Sequence, residues 1–169
     1  MSHPTTPGPR LAPMLVLAVS IGALAVALLA QYVGGLAPCA LCLYQRYAYG
    51  AAILFAVIAF LLRDRPALLR LVVGLAGLAL LTSAGIGVFH VGVEQHWWAG
   101  SSACGGALDP NLSLDELRAQ IMNAPVVRCD EVAWSLFGLS MAGYNALYAG
   151  GFGLLVLWLA LRRRPREGR

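Results

Sequence analysis

Four cysteines are the residues best suited to chemistry in this chain, and two of them stand in the unit Pro38-Cys39-Ala40-Leu41-Cys42. Thiols at Cys-X-X-Cys spacing close on each other reversibly, and the thiolate is their reactive form. The other two, Cys104 and Cys129, bracket a stretch of about 26 residues that loop-closure entropy would stabilise by roughly 3.5 kcal/mol if bridged. The same relation gives only about 1.8 kcal/mol for the Cys39–Cys42 loop. A bridge that stabilises so little is better explained as a working dithiol than as a staple. Arg46 sharpens that reading. If a helix begins near Cys42, the arginine falls on the same face four residues later, and a guanidinium and a helix N-terminus both favour a thiolate. The bland role for Arg46 is an arginine snorkelling to headgroups; a charge at that depth otherwise marks a site.

The elements that must position these groups are membrane helices. Of 169 residues, 59% are hydrophobic and only 12% charged, with mean hydropathy +0.72, far more apolar than a soluble domain. Four apolar runs are long enough to cross about 30 Å of hydrocarbon: about 11–33, 44–62, 68–89 and 141–161, none with an acidic residue. We therefore expect an all-α membrane protein, a single domain over 1–169 built as a bundle of four spans. Cysteine usage and the acids concentrate in two loops, about 34–43 and 91–140.

Orientation follows from arginine. All twelve basic residues are Arg, and most lie at Arg10, at Arg63, Arg65 and Arg70, and from Arg162 to Arg169. With four spans these regions share one face, which the positive-inside bias makes cytoplasmic. Both loops bearing cysteines then face an oxidising exterior, where four cysteines imply disulfides. The net charge of +4 reflects this topology and gives no reason to expect nucleic acid as a partner. A cleaved signal peptide is the rival reading of the first span, but the run exceeds a typical signal core and cleavage would leave an odd number of spans.

Within the spans, Gly74, Gly77, Gly85 and Gly87 and then Gly143, Gly150, Gly151 and Gly153 read as surfaces for close helix packing. Trp97, Trp98, Trp134 and Trp158 read as interfacial anchors. In the long loop, Ser113-Leu114-Asp115-Glu116 is a capping-box pattern. It opens a short amphipathic helix that places Leu117, Ile121 and Met122 on one face, ends at Pro125 and lies on the membrane surface. The two loop cysteines flank it without being held rigidly, and Gly105 and Gly106 leave room for another protein's backbone.

In their order and topology these pieces resemble the DsbB family of bacterial inner-membrane disulfide oxidases. The likeness rests on Pro-Cys-X-X-Cys-X-X-X-Arg after the first span, a second cysteine pair in the other outer loop, and the segments Phe89 to Glu94 and Cys129 to Glu131. It covers roughly Gly22 to Leu161. The DsbA–DsbB–quinone system keeps the bacterial periplasm oxidising. The resemblance implies that Cys104, paired at rest with Cys129, accepts attack from a reduced DsbA-like thioredoxin-fold partner. Cys129 would then engage Cys39, and Cys42 as thiolate would face ubiquinone or menaquinone. It implies Arg46 and Met141 in the quinone pocket, while the arginine placement puts both termini in the cytoplasm. His90, at the outer end of the third span, is placed to bond either a quinone carbonyl or a neighbouring loop. Glu94 and His96 read as loop residues, with Glu94 a partner for His90 or Arg46.

Three alternatives stand beside this. Vitamin K epoxide reductase–like proteins run similar chemistry on four helices, but their membrane-edge Cys-X-X-Cys comes after the loop pair, whereas here it comes first. A structural membrane protein stapled by two disulfides predicts no redox turnover. A zinc site wants two short Cys/His pairs, and only one is present, so no metal is expected.

Overall fold

The computed structural model describes residues 11–104, 113–122 and 127–162. Arg10, Gly105, Gly106, Pro125 and the arginines after Arg162 lie outside the described residues, as do the side chains of Leu117 and Ile121. Four long helices carry the fold: α1 (Ala12–Tyr32), α2 (Ala40–Leu61), α3 (Pro66–Glu94) and α5 (Met141–Leu161), with the short α4 (Leu114–Met122) between the last two. Their mean hydropathies of 2.5, 1.4, 2.1 and 1.5 make all four long ones apolar enough to cross a bilayer. This is the expected four-helix membrane architecture.

The chain starts and stops these helices with ordinary local chemistry. Pro13 and Pro66 sit in the first turns of α1 and α3, where a missing N–H costs nothing. Ser140 caps α5 by accepting from the Gly143 amide at 3.1 Å. At 29 residues, α3 is about 44 Å long and outruns the hydrocarbon by more than a turn at each end. Its outer end therefore runs past Phe89 to Glu94, which is helical and not part of the loop.

α3 is the central post, packing most closely on α5 and α2. A Cβ on Gly77 would meet the Leu157 backbone N at 3.1 Å, and one on Gly87 would meet the Ala146 N at 3.1 Å. Lipid gives helices no hydrophobic reason to pair, so such backbone-to-backbone contact is what joins them. Gly85 and Gly151 have nothing within 4 Å, so the glycine surfaces expected from sequence are real but only in part. The bundle interior is small: Ala52, Ala56, Ala59, Ala76 and Ala149 are almost fully buried around Val16, Val73 and Leu80. Larger side chains such as Leu29, Leu54, Leu78 and Leu154 point outward, as a lipid-facing surface requires.

The capping box predicted for α4 is present. Glu116 Oε2 accepts from the Ser113 amide at 2.9 Å, and Ser113 Oγ accepts from the Glu116 amide at 3.4 Å. Leu114 and Met122 are exposed at its two ends. Just before α5 the chain makes a hairpin, β1 (Ser135–Leu136) against β2 (Leu139–Ser140). Its two-residue turn, Phe137-Gly138, has positive φ at both positions, which matches the twist of paired strands. The turn leaves Phe137 almost wholly exposed.

Candidate active site

Cys39 is the N-cap of α2. Its extended backbone follows Pro38, and its Sγ accepts from the Cys42 amide at 3.4 Å. The spacing puts the helix N-terminus near Cys42; because α2 already begins at Ala40, the sulfur that takes the orphan amide belongs to Cys39. The two thiols are unbonded, with Sγ atoms 2.9 Å apart. Hydrogen bonding from the Cys42 thiol, then from His90 and the Cys42 amide, holds Cys39 well below the ordinary thiol range, against the burial that pushes the other way.

His90 joins this pair from α3. Its Nε2 lies 3.5 Å from Cys39 Sγ, and its Nδ1 lies 3.4 Å from the Gln45 amide nitrogen. One helical turn on, Glu94 Oε1 lies 3.8 Å from the same Nε2. Both Sγ atoms and the imidazole nitrogen fall within 4.8 Å of one another. Behind them runs a buried polar chain: Ser83 Oγ donates to the Gln45 carbonyl at 3.3 Å, Asn145 donates to Ser83 at 3.2 Å, and Tyr49 donates to Asn145 at 2.7 Å.

Arg46 shares a face with Cys42, as its spacing predicts, and reaches sideways to α1. Its Nη1 donates to Gln31 Oε1 and its Nη2 to the Ala27 carbonyl. Cys42, Arg46, His90 and Met141 all border one cavity of about 390 Å³, walled on the far side by α1 from Gly22 to Ala30. That volume suits a small organic molecule. The wall is mostly apolar.

The second pair is not loosely carried. Cys104 and Cys129 are bonded, with Cα atoms 5.0 Å apart, and are only 3% and 0% exposed. They pack with Cys39, Leu41 and Val93 in one buried cluster. The expectation of a mobile attachment fails because α3 is longer than the hydrophobic run suggests: Val93, on its last turn, supplies the apolar floor. The segment on either side of Cys129 also forms part of the cavity wall, through Arg128, Glu131 and Trp134. Arg128 is paired there with Asp130 and Glu131.

Sequence reasoning brought out the cysteines, Arg46, His90 and Met141, and the fold gathers all of them at one end. It missed Gln31, Gln45, Ser83, Tyr49 and Asn145. The available signal was their polarity inside apolar helices, where such groups must find partners.

Comparison with known proteins gives a consistent result. Residues 9–159 match the family described as "Disulfide bond formation protein DsbB". Among relatives, the "Disulfide bond formation protein B" of Azoarcus sp. (strain BH72) is 32% identical over 162 residues, covering 90% of this chain and 93% of its own. The protein of the same description from Marinobacter nauticus is 34% identical over 163 residues, with 90% and 93% covered. No solved structure matches the chain.

Proposed function

The chain belongs to the DsbB family of disulfide bond formation proteins, a multi-pass bacterial membrane protein of general disulfide-forming oxidoreductase type, and on that premise we propose that it is a thiol:quinone oxidoreductase. It reoxidises a periplasmic DsbA-like thioredoxin-fold dithiol and hands the electrons to ubiquinone or menaquinone. The observation that carries the reading is the shared buried cluster of Cys39 with Cys104 and Cys129, which joins the loop pair to a dithiol bordering a cavity.

The exchange is balanced at each step. A partner thiolate attacks Cys104, breaking the Cys104–Cys129 bond and releasing the Cys129 thiolate. The partner's second thiol then displaces Cys104, so the partner leaves as a disulfide and both loop cysteines are reduced. Cys129 attacks Cys39 of an oxidised Cys39–Cys42 pair, and Cys42 leaves as a thiolate that takes up one of the protons given up by the partner's dithiol. Cys104 resolves the Cys129–Cys39 bond, restoring the loop disulfide and leaving Cys39 and Cys42 reduced. Because Cys104 is buried, the partner has to lift the loop before the first attack.

The residues present fit a quinone. The cavity offers an apolar trough for a ring and tail; on its wall Arg46 is the donor for a carbonyl oxygen and Met141 the apolar edge, while His90 has its ring nitrogens turned to Gln45, Cys39 and Glu94. A quinone bound there supplies a two-electron, two-proton acceptor. Cys42 faces it, Arg46 holds negative charge on either side of the transfer, and Gln31 holds Arg46. The arginine distribution supports termini in the cytoplasm and cysteines on the periplasmic side.

The decisive experiment mixes purified protein with reduced partner and quinone and follows quinone absorbance. Turnover that disappears in the Cys42→Ser form is expected; turnover surviving that change overturns the assignment.

A further inference from the structure

Closing the Cys39–Cys42 bond from two thiols releases two electrons and two protons, and reducing a quinone consumes two of each. Cys42 can give its proton directly to the cavity it borders. The Cys39 sulfur touches the same cavity but is only 4% exposed, and it has its own proton acceptor at hand in His90 Nε2 at 3.5 Å.

We propose that Glu94 stores the proton released by Cys39 through His90 and delivers it from Oε2 to the acceptor in the cavity. The inference rests on the quinone-reducing reading above and deepens it. Three observations carry it. The first is the imidazole: Nε2 faces both Cys39 Sγ at 3.5 Å and Glu94 Oε1 at 3.8 Å, with the Gln45 side-chain amide against Nδ1. When that amide turns its oxygen to Nδ1–H, Nε2 is bare; it takes the proton from the thiol as imidazolium and passes it on to the carboxylate.

The second is the carboxyl itself. The Glu94 side chain is 5% exposed, with the Ser140 hydroxyl beside it, yet Oε2 has no hydrogen-bond partner among the described residues. A buried polar atom left unpaired is costly and calls for an explanation. The third is its outlook: Glu94 borders the same cavity as Cys42 and Arg46. The only other carboxylate on that wall among the described residues, Glu131, is 76% exposed and paired with Arg128.

The full balance is then two thiols and a quinone giving a disulfide and a quinol. One proton passes from Cys42, and one from Cys39 by way of His90 and Glu94. No external acid or oxidant is required.

The test is Glu94→Gln, which keeps the shape and cannot carry a proton. We expect quinone reduction to fall about 10²-fold in kcat, the scale of lost general acid–base catalysis, with KM for quinone little changed and a larger solvent deuterium isotope effect. Disulfide exchange between the partner and Cys104–Cys129 should stay at the wild-type rate. A Glu94→Gln enzyme with wild-type kcat, or one altered only in KM, overturns the proposal while leaving the function intact. A wild-type enzyme that reduces no quinone overturns the function itself. A readout free of both variant folding and turnover comes from quinone-free wild-type protein labelled with ¹³C-glutamate. Its reduced-minus-oxidised infrared difference spectrum should contain a protonated-carboxyl band on dithiol reduction, and a silent carboxyl region there also refutes the proposal.

Discussion

Arg46 on α2 and Gln31 on α1 are joined side chain to side chain, Nη1 to Oε1 at 2.5 Å. The guanidinium is therefore a fixed bridge between helices rather than a free arm snorkelling to headgroups. Gln31→Leu should free it to wander and raise KM for quinone about 10-fold, or roughly 1.4 kcal/mol, with kcat near wild type. Arg46→His should raise KM further, and adding Gln31→Leu to it should change little. Steady-state kinetics across a quinone series checks this double cycle; additive effects would separate the two residues.

Loss of Cys104 should split the two half-reactions. Cys104→Ala should abolish oxidation of the thioredoxin-fold partner, while free dithiothreitol still reduces quinone through Cys39 and Cys42. Unimpaired partner oxidation would remove Cys104 from the route.

The pH dependence follows from Cys39. Its thiol is held low by Cys42 and His90, so the thiolate persists as pH falls and disappears only once pH drops through the depressed value. At about pH 6, more than two units below an ordinary thiol near 8.5, reduced Cys39 should still be alkylated rapidly. His90→Phe removes one of the lowering partners and should shift that profile to higher pH. Mass-spectrometric mapping of alkylation against pH reads both curves; identical profiles would uncouple the two residues.

Packing makes a sharper claim about stability. Gly87→Val places a side chain against the Ala146 backbone and should destabilise the bundle by about 1–3 kcal/mol. Gly85→Ala, two residues away, meets nothing within 4 Å and should shift stability by less than about 0.5 kcal/mol. Thermal unfolding in detergent compares them.

Orientation is tested by a thiol reagent that cannot cross membranes. After reduction, the cysteines should label in intact cells; labelling confined to lysed cells would invert the topology.

Much of this was legible in the sequence because charge and hydropathy act over long stretches. Four apolar runs, the placement of arginine and the Cys-X-X-Cys spacing each leave a pattern that survives without coordinates. Glu94 was half legible: its pairing with His90 was foreseen, but an acid at the end of an apolar run looks like the start of a loop. Only the i to i+4 relation to His90, on a helix continuing beyond the hydrocarbon, gives it a place. Gln31, Gln45 and Asn145 were obscured for another reason: single polar residues on different helices have no mutual spacing to read, and their partners are defined by packing alone. Cys39 and Cys42 were identified together, but which of them caps α2 depended on the position of one residue, and the helix starts two residues earlier than the motif suggested.

The trough beside the cysteines has a definite reach. Its α1 wall descends from Ala30 to Gly22, eight residues or about 12 Å, to the level where the Tyr148 hydroxyl hooks the Val19 carbonyl like a crossbar. A headgroup lodged at the top would leave space for only the first isoprene units, and the remainder would have to spill out among acyl chains. Tail length should therefore scarcely affect recognition, and short-chain analogues should serve as well as the long natural lipids.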